Sequence, residues 1–105
     1  MRRINELVRE VIGAAISTEL EDPRIGFVTV TAVDTSPDLR SARVYVSVLG
    51  DQREREDTMV ALRSAHGVLQ SEIARQVRIK RTPTLSFHYD DTAETADRIG
   101  RLLDS

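Results

Sequence analysis

Ile4, Leu7, Val8, Val11, Ile12, Ala15, Ile16 and Leu20 recur at steps of three and four, the spacing that lays one apolar stripe along a helix. Pro23 disfavours helical geometry in the residue before it, so this helix is expected to stop near Asp22. Over 27–33 the period changes to two, which is expected to put Val28, Val30 and Ala32 on one face and Thr29 and Thr31 on the other. Residues 43–49 repeat the alternation, so two half-buried strands follow the helix. Between them Asp34-Thr35-Ser36-Pro37-Asp38-Leu39-Arg40 is rich in turn formers, and an antiparallel hairpin with a longish loop is the natural connection.

Asp51 and Glu54 have the spacing of a capping box, and Leu62, Ala65, Leu69, Ile73 and Val77 continue at helical steps. The second helical region therefore runs to about Val77. Gly67 interrupts it, at a cost of roughly 1 kcal/mol relative to alanine, and marks either a bend, a close backbone approach or a helix terminator with left-handed backbone. Thr82-Pro83 ends helical structure. Leu85, Phe87 and Tyr89 then alternate with Ser86 and His88 as a third one-sided strand, and a short helix is expected over about 92–103, capped by Asp91 with Glu94. All three strands have one apolar face, so the helices should gather on one side of a three-stranded sheet. The expected fold class is α+β, two layers deep, in a single domain covering 1–105.

Composition adds exclusions. The 105 residues contain no cysteine, which removes disulfides, thiol nucleophiles and cysteine-ligated metal sites. The first apolar stretch is interrupted by Asn5, Glu6, Arg9 and Glu10, so it reads as neither signal peptide nor membrane span. A cytoplasmic protein without a membrane role is expected. No nucleophile elbow, phosphate loop or His-Glu-x-x-His occurs, and the adjacent acids Glu21-Asp22 and Asp90-Asp91 sit where capping and turns explain them. His66 and His88 share no metal-ligand motif. The expectation is no enzyme, no metal, no cofactor and no small-molecule substrate.

The formal net charge of −2 argues against a globally basic nucleic-acid binder, so any such role rests on arrangement. Between residues 73 and 89 there is no acid, while Arg75, Arg78, Lys80 and Arg81 fall close together; from Asp90 onward acids outnumber Arg98 and Arg101. The bland alternative for the basic run is a solvated helix end, where cations also suit the helix dipole.

Helix-strand-strand-helix-helix-strand is the element order of the type II KH fold, an RNA-binding module, and order alone says little about function. More specific are Asp22-Pro23-Arg24, Val28-Thr29-Val30-Thr31-Ala32-Val33, Ser36-Pro37-Asp38-Leu39, Ala42-Arg43-Val44-Tyr45-Val46-Ser47 and Leu49-Gly50. With Ser64-Ala65-His66-Gly67 and Pro83-Thr84-Leu85-Ser86-Phe87 followed by Asp90, they resemble the bacterial ribosome-binding factor A family, in order and over nearly the whole chain. The resemblance implies a KH-like domain with an alanine-x-glycine kink, here Ala65 and Gly67, in place of a glycine-x-x-glycine loop. It further implies a monomeric assembly factor that binds the immature 30S subunit, assists 16S rRNA maturation near its 5′ end and supports growth in the cold.

On this reading Arg75, Arg78, Lys80 and Arg81 are the first RNA-binding candidates, with His66, Arg63, Arg2 and Arg3 beside them. Each also has an ordinary alternative as a solvated side chain. Phe27, Tyr45, Phe87 and Tyr89 could stack on bases, but Phe87 and Tyr89 share the apolar face with Leu85 and read better as core, while His88 reads as bland. A rival from another class is a protein-interaction module that uses the hairpin or the acidic terminal helix and touches no RNA.

Overall fold

The computed structural model describes residues 2–91. Along them run α1 (Arg2–Thr18), β1 (Phe27–Thr35), β2 (Ser41–Leu49), α2 (Gln52–Ser64), α3 (His66–Gln76) and β3 (Thr84–Tyr89). These are the six elements that the hydrophobic pattern predicts, in the same order. The helix expected over 92–103 lies outside the described residues.

The sheet has the order β1-β2-β3. β1 and β2 pair antiparallel across the hairpin, whereas β2 and β3 pair parallel, as they must when α2 and α3 carry the chain back to its starting edge. β2 alternates without interruption: Ala42, Val44, Val46 and Val48 are buried, and Arg43, Ser47 and Leu49 are exposed. β1 does not. Its register shifts between Val30 and Ala32, and such a bulge reverses the phase of everything beyond it. Ala32, expected on the core face, is therefore exposed, and Val33 and Thr35 point inward instead.

The core joins Val8, Ile12, Ala15 and Ile16 of α1 to Met59 and Leu62 of α2, Leu69 and Ile73 of α3, and the inward strand residues including Leu85 and Phe87. All three helices cover the same sheet face, leaving the other open, as one-sided strands require. Leu7, placed in the apolar stripe by its spacing, is largely exposed.

Two loops are fixed by local chemistry. The hairpin turn holds Leu39 at φ +61°, where the Asp38 carboxylate accepts from the Ser36 hydroxyl at 2.7 Å and the Arg40 amide at 3.1 Å. These two donors hold the Asp38 carboxyl below its ordinary pKa. At the entry to α2, Gly50 takes φ +144°, and a Cβ there would stand 2.7 Å from the Glu54 carboxylate. That carboxylate is engaged in the capping box, since Asp51 accepts from the Glu54 amide at 2.8 Å and Glu54 in turn accepts from the Asp51 amide at 3.5 Å. Only glycine suits both demands.

After α1, the Arg24 guanidinium lies 2.6 Å from Asp22 across Pro23. The Arg24 side chain and backbone amide lower the Asp22 pKa to about 2. A depressed carboxylate favours the folded state above its unfolded pKa, and that contribution fades as pH falls from about 4 toward 2. Arg24→Ala is expected to return Asp22 to the ordinary carboxylate range in an NMR titration. A value still near 2 would mean that the backbone amide alone holds it down.

The bend between α2 and α3 is made by Ala65, at φ −88° and ψ 10°. Gly67 is already inside the first turn of α3, exposed and without positive φ, and a Cβ added there meets nothing within 4 Å. This corrects both structural readings of that glycine, the close backbone approach and the left-handed terminator. Gly67→Ala should therefore fold normally and gain up to about 1 kcal/mol from helix propensity, read by thermal unfolding. A marked loss of stability would contradict this backbone assignment.

Candidate nucleic-acid interface

The strand directions sort the charged side chains to opposite ends of the molecule. At one end lie the start of α1, the hairpin turn and the loop into β3. The Asn5 side chain accepts from the Thr35 amide at 3.0 Å, and the Thr84 amide donates to the Arg40 carbonyl at 2.9 Å. Arg2, Arg3, Arg40, Arg75, Arg78, Lys80 and Arg81 belong to this end by chain position and register. Its acids, Glu6, Asp34, Asp38 and Glu72, are each close to a cation: Arg2 at 4.0 Å, Arg43 at 4.0 Å, Arg40 at 3.8 Å and Arg75 at 2.5 Å.

The basic run is not a helix end. α3 stops at Gln76 with Val77 as its cap, so Arg78, Lys80 and Arg81 stand on the connecting loop over 77–83. All three are exposed. Among the described residues none of them makes an ion pair. Arg75, the one member on the helix, donates to Glu72, and its guanidinium with the Gln76 amide holds the Glu72 carboxyl below its ordinary range. The dipole of α3 explains Arg75 and leaves the loop cations without a structural task.

Arg63 and His66 have such a task. β3 is an edge strand, and an unguarded edge is a template for foreign pairing. Arg63 donates to the Phe87 carbonyl at 3.1 Å, and His66 Nε2 lies 3.1 Å from the Leu85 carbonyl. Gln70 donates to the Pro83 carbonyl at 2.5 Å and accepts from the Leu85 amide at 3.1 Å. The spacing 63, 66, 70 is one helical face continued across the bend, matched to residues 87 and 85 of the strand and to Pro83 just before it. Sequence reasoning missed Gln70, since neither its partner strand nor its parallel direction is visible in local spacing.

The aromatic residues separate as their spacing implies. Phe87 is buried, and Tyr89 is half-buried with the Arg55 guanidinium 4.4 Å above its ring. On the open face Tyr45 lies against His88, their ring centres 5.6 Å apart, and the Ser86 hydroxyl is 2.9 Å from His88 Nε2. Phe27 is exposed at the far end of β1 and joins no ring pair among the described residues. A continuous stacking platform is not built. The surface can instead hold a phosphate backbone, through cations on a loop and helix start that offer no fixed donor pattern for reading bases.

The sequence profile described as "Ribosome-binding factor A" matches residues 1–103. The fold is similar to the crystal structure of ribosome-binding factor A from Thermus thermophilus, with TM-score 0.74 and 32% identity over 84% of this chain and 93% of that one. A Thermotoga maritima protein studied by solution NMR as a candidate ribosome binding factor A matches with TM-score 0.75 and 34% identity, covering 83% of each chain. A third match is a homology model of the Thermus thermophilus factor as fitted into the cryo-EM map of its complex with the 30S subunit. It has TM-score 0.68 and 32% identity over 82% of this chain and 90% of that one.

Proposed function

The chain belongs to the ribosome-binding factor A family, and from that premise we propose that it binds the immature 30S subunit by holding 16S rRNA against its basic end. The observation that carries this reading is the set Arg78, Lys80 and Arg81, exposed and unpaired among the described residues, on one loop at the end that also bears Arg2 and Arg3. Cations of this kind position a nucleic-acid backbone without selecting bases. Arg75 contributes from the last turn of α3, in competition with Glu72. His66 and Arg63 act indirectly, by holding β3 and hence the far end of the loop in place.

The reading extends to an assembly role, assisting 16S rRNA maturation near the 5′ end and growth at low temperature. The factor works as a cytoplasmic monomer of one KH-like domain over 1–105, without cofactor, metal or small-molecule substrate. The order of the six described elements supports the KH-like assignment, with the bend at Ala65 standing where a glycine-x-x-glycine loop would. Pelleting with purified 30S subunits tests the binding. Salt-sensitive co-sedimentation is expected, whereas failure to pellet at both low and high salt would favour a protein-interaction module that does not touch RNA.

A further inference from the structure

The end of the molecule opposite the basic loop carries a second exposed surface. Phe27 and Leu49 face each other across β1 and β2 at the last register position, and they are 80% and 74% exposed. Beside Phe27 a groove of about 500 Å³ opens between the exit of α1 and the start of β1, with Ile16, Leu20, Pro23 and Ile25 among its lining residues. Large apolar side chains placed this far out of the core mark contact surfaces when they adjoin a concavity.

Glu21 and Asp22 line this groove, Glu19 lines the adjoining cleft, and Asp51 and Glu54 follow Leu49 in the chain, so the surroundings are acidic, and partly against the local rule. Asp51 and Glu54 complement the start of α2 and need no other reason. Glu19 and Glu21 directly follow the C-terminal end of α1, where the helix dipole disfavours a carboxylate and where no basic residue occupies the last turn. Both are exposed, and neither has an ion pair among the described residues. Asp22 in the same loop is neutralised by Arg24, so its neighbours stand out. Residues that break a local preference without structural return belong to function more often than to folding.

We propose that this groove and the Phe27–Leu49 pair dock a basic polypeptide segment bearing a large apolar residue, with Glu19 and Glu21 meeting its cations. RNA is excluded by charge, and so is an anionic lipid surface. Proteins seated on RNA carry basic segments of this kind, and a chain whose opposite end meets phosphates would present this groove to them. The choice of occupant rests on the RNA-binding reading, whereas the titration below contains no ribosome and tests the docking surface by itself.

The test is an NMR titration of the full chain with a twelve-residue peptide of lysine and arginine containing one central leucine. Saturable shifts are expected at Leu20, Ile25, Gly26, Phe27 and Leu49. Phe27→Ser, harmless to the fold at so exposed a position, should weaken binding by roughly tenfold, as should replacing the peptide leucine by serine. Glu19→Lys with Glu21→Lys should weaken it further. Binding indifferent to the leucine or to Phe27, or the same shifts produced by a single-stranded RNA oligomer, would overturn the proposal. So would concentration-dependent shifts of Phe27 and Leu49 without peptide, which would assign the surface to a second copy. Contacts to residues 92–105 in the free chain would assign it to the chain itself and overturn the proposal equally.

Discussion

Replacing Arg78, Lys80 and Arg81 together by glutamate is expected to weaken binding to the 30S subunit by at least about a hundredfold near 0.1 M salt. Each phosphate neutralised on a single strand contributes about 0.7 to the slope of log affinity against log salt, which near 0.1 M amounts to roughly fivefold in affinity. Losing three such contacts multiplies to about a hundredfold before the added repulsion is counted. The slope itself should become shallower by about 2. All three side chains are exposed and none is in an ion pair among the described residues, so the thermal transition should stay where it is. Unchanged binding with an intact fold would remove the loop from the interface.

Phe87→Ala should cost about 3–5 kcal/mol, because a buried aromatic ring leaves a cavity that its neighbours only partly fill. Phe87 is 3% exposed, in the middle of β3 and directly under the helix layer. Single domains of this size are stable by only about 5–15 kcal/mol. At about 4 °C or more per kcal/mol, the midpoint should fall by at least about 12 °C in a thermal melt. A drop of under about 4 °C would mean that the ring is not the core group described here. Because the Arg63 bond goes to the Phe87 backbone carbonyl, the substitution tests the core while leaving the guarded strand edge in place.

The contrast between these two residues shows how much was legible beforehand. Phe87 could be placed in the core from the alternation of Leu85, Phe87 and Tyr89 alone, since a one-sided strand has only one apolar face. The capping box at Asp51 and Glu54 was equally readable, being a contact between residues three apart. Ala32 was misplaced because a bulge adds one residue to a strand without changing the local polarity pattern, and only the pairing with Tyr45 reveals it. Gly67 was misread for a related reason. Glycine is permissive, so it signals that a backbone could be unusual, while the actual departure from helix sits at Ala65.

The candidate site divides along the same line. The basic run was visible as a gap in the distribution of acids, but its placement on a loop rather than a helix end depends on where α3 stops. Arg63 and His66 looked like solvated surface side chains free to meet RNA because their partners, the carbonyls of Phe87 and Leu85, are distant in sequence. The separation of basic and acidic ends could not be read from the chain order at all. It arises when α1 returns antiparallel to β1 and α3 carries the chain past the start of β3, bringing Arg2 and Arg3 to the same end as Arg78 while Glu19 and Glu21 go to the other.

That polarity can be probed directly, because a chain without cysteine accepts a single introduced thiol. An iron chelate tethered at Ala74→Cys, on the exposed side of α3 beside Arg75, and another at Glu21→Cys, beside the acidic groove, would each generate hydroxyl radicals in the complex with purified 30S subunits. If the basic end meets the RNA, strand cleavage of the 16S rRNA will come from position 74, with little from position 21. Cleavage mainly from position 21 would contradict it and place the RNA at the acidic end.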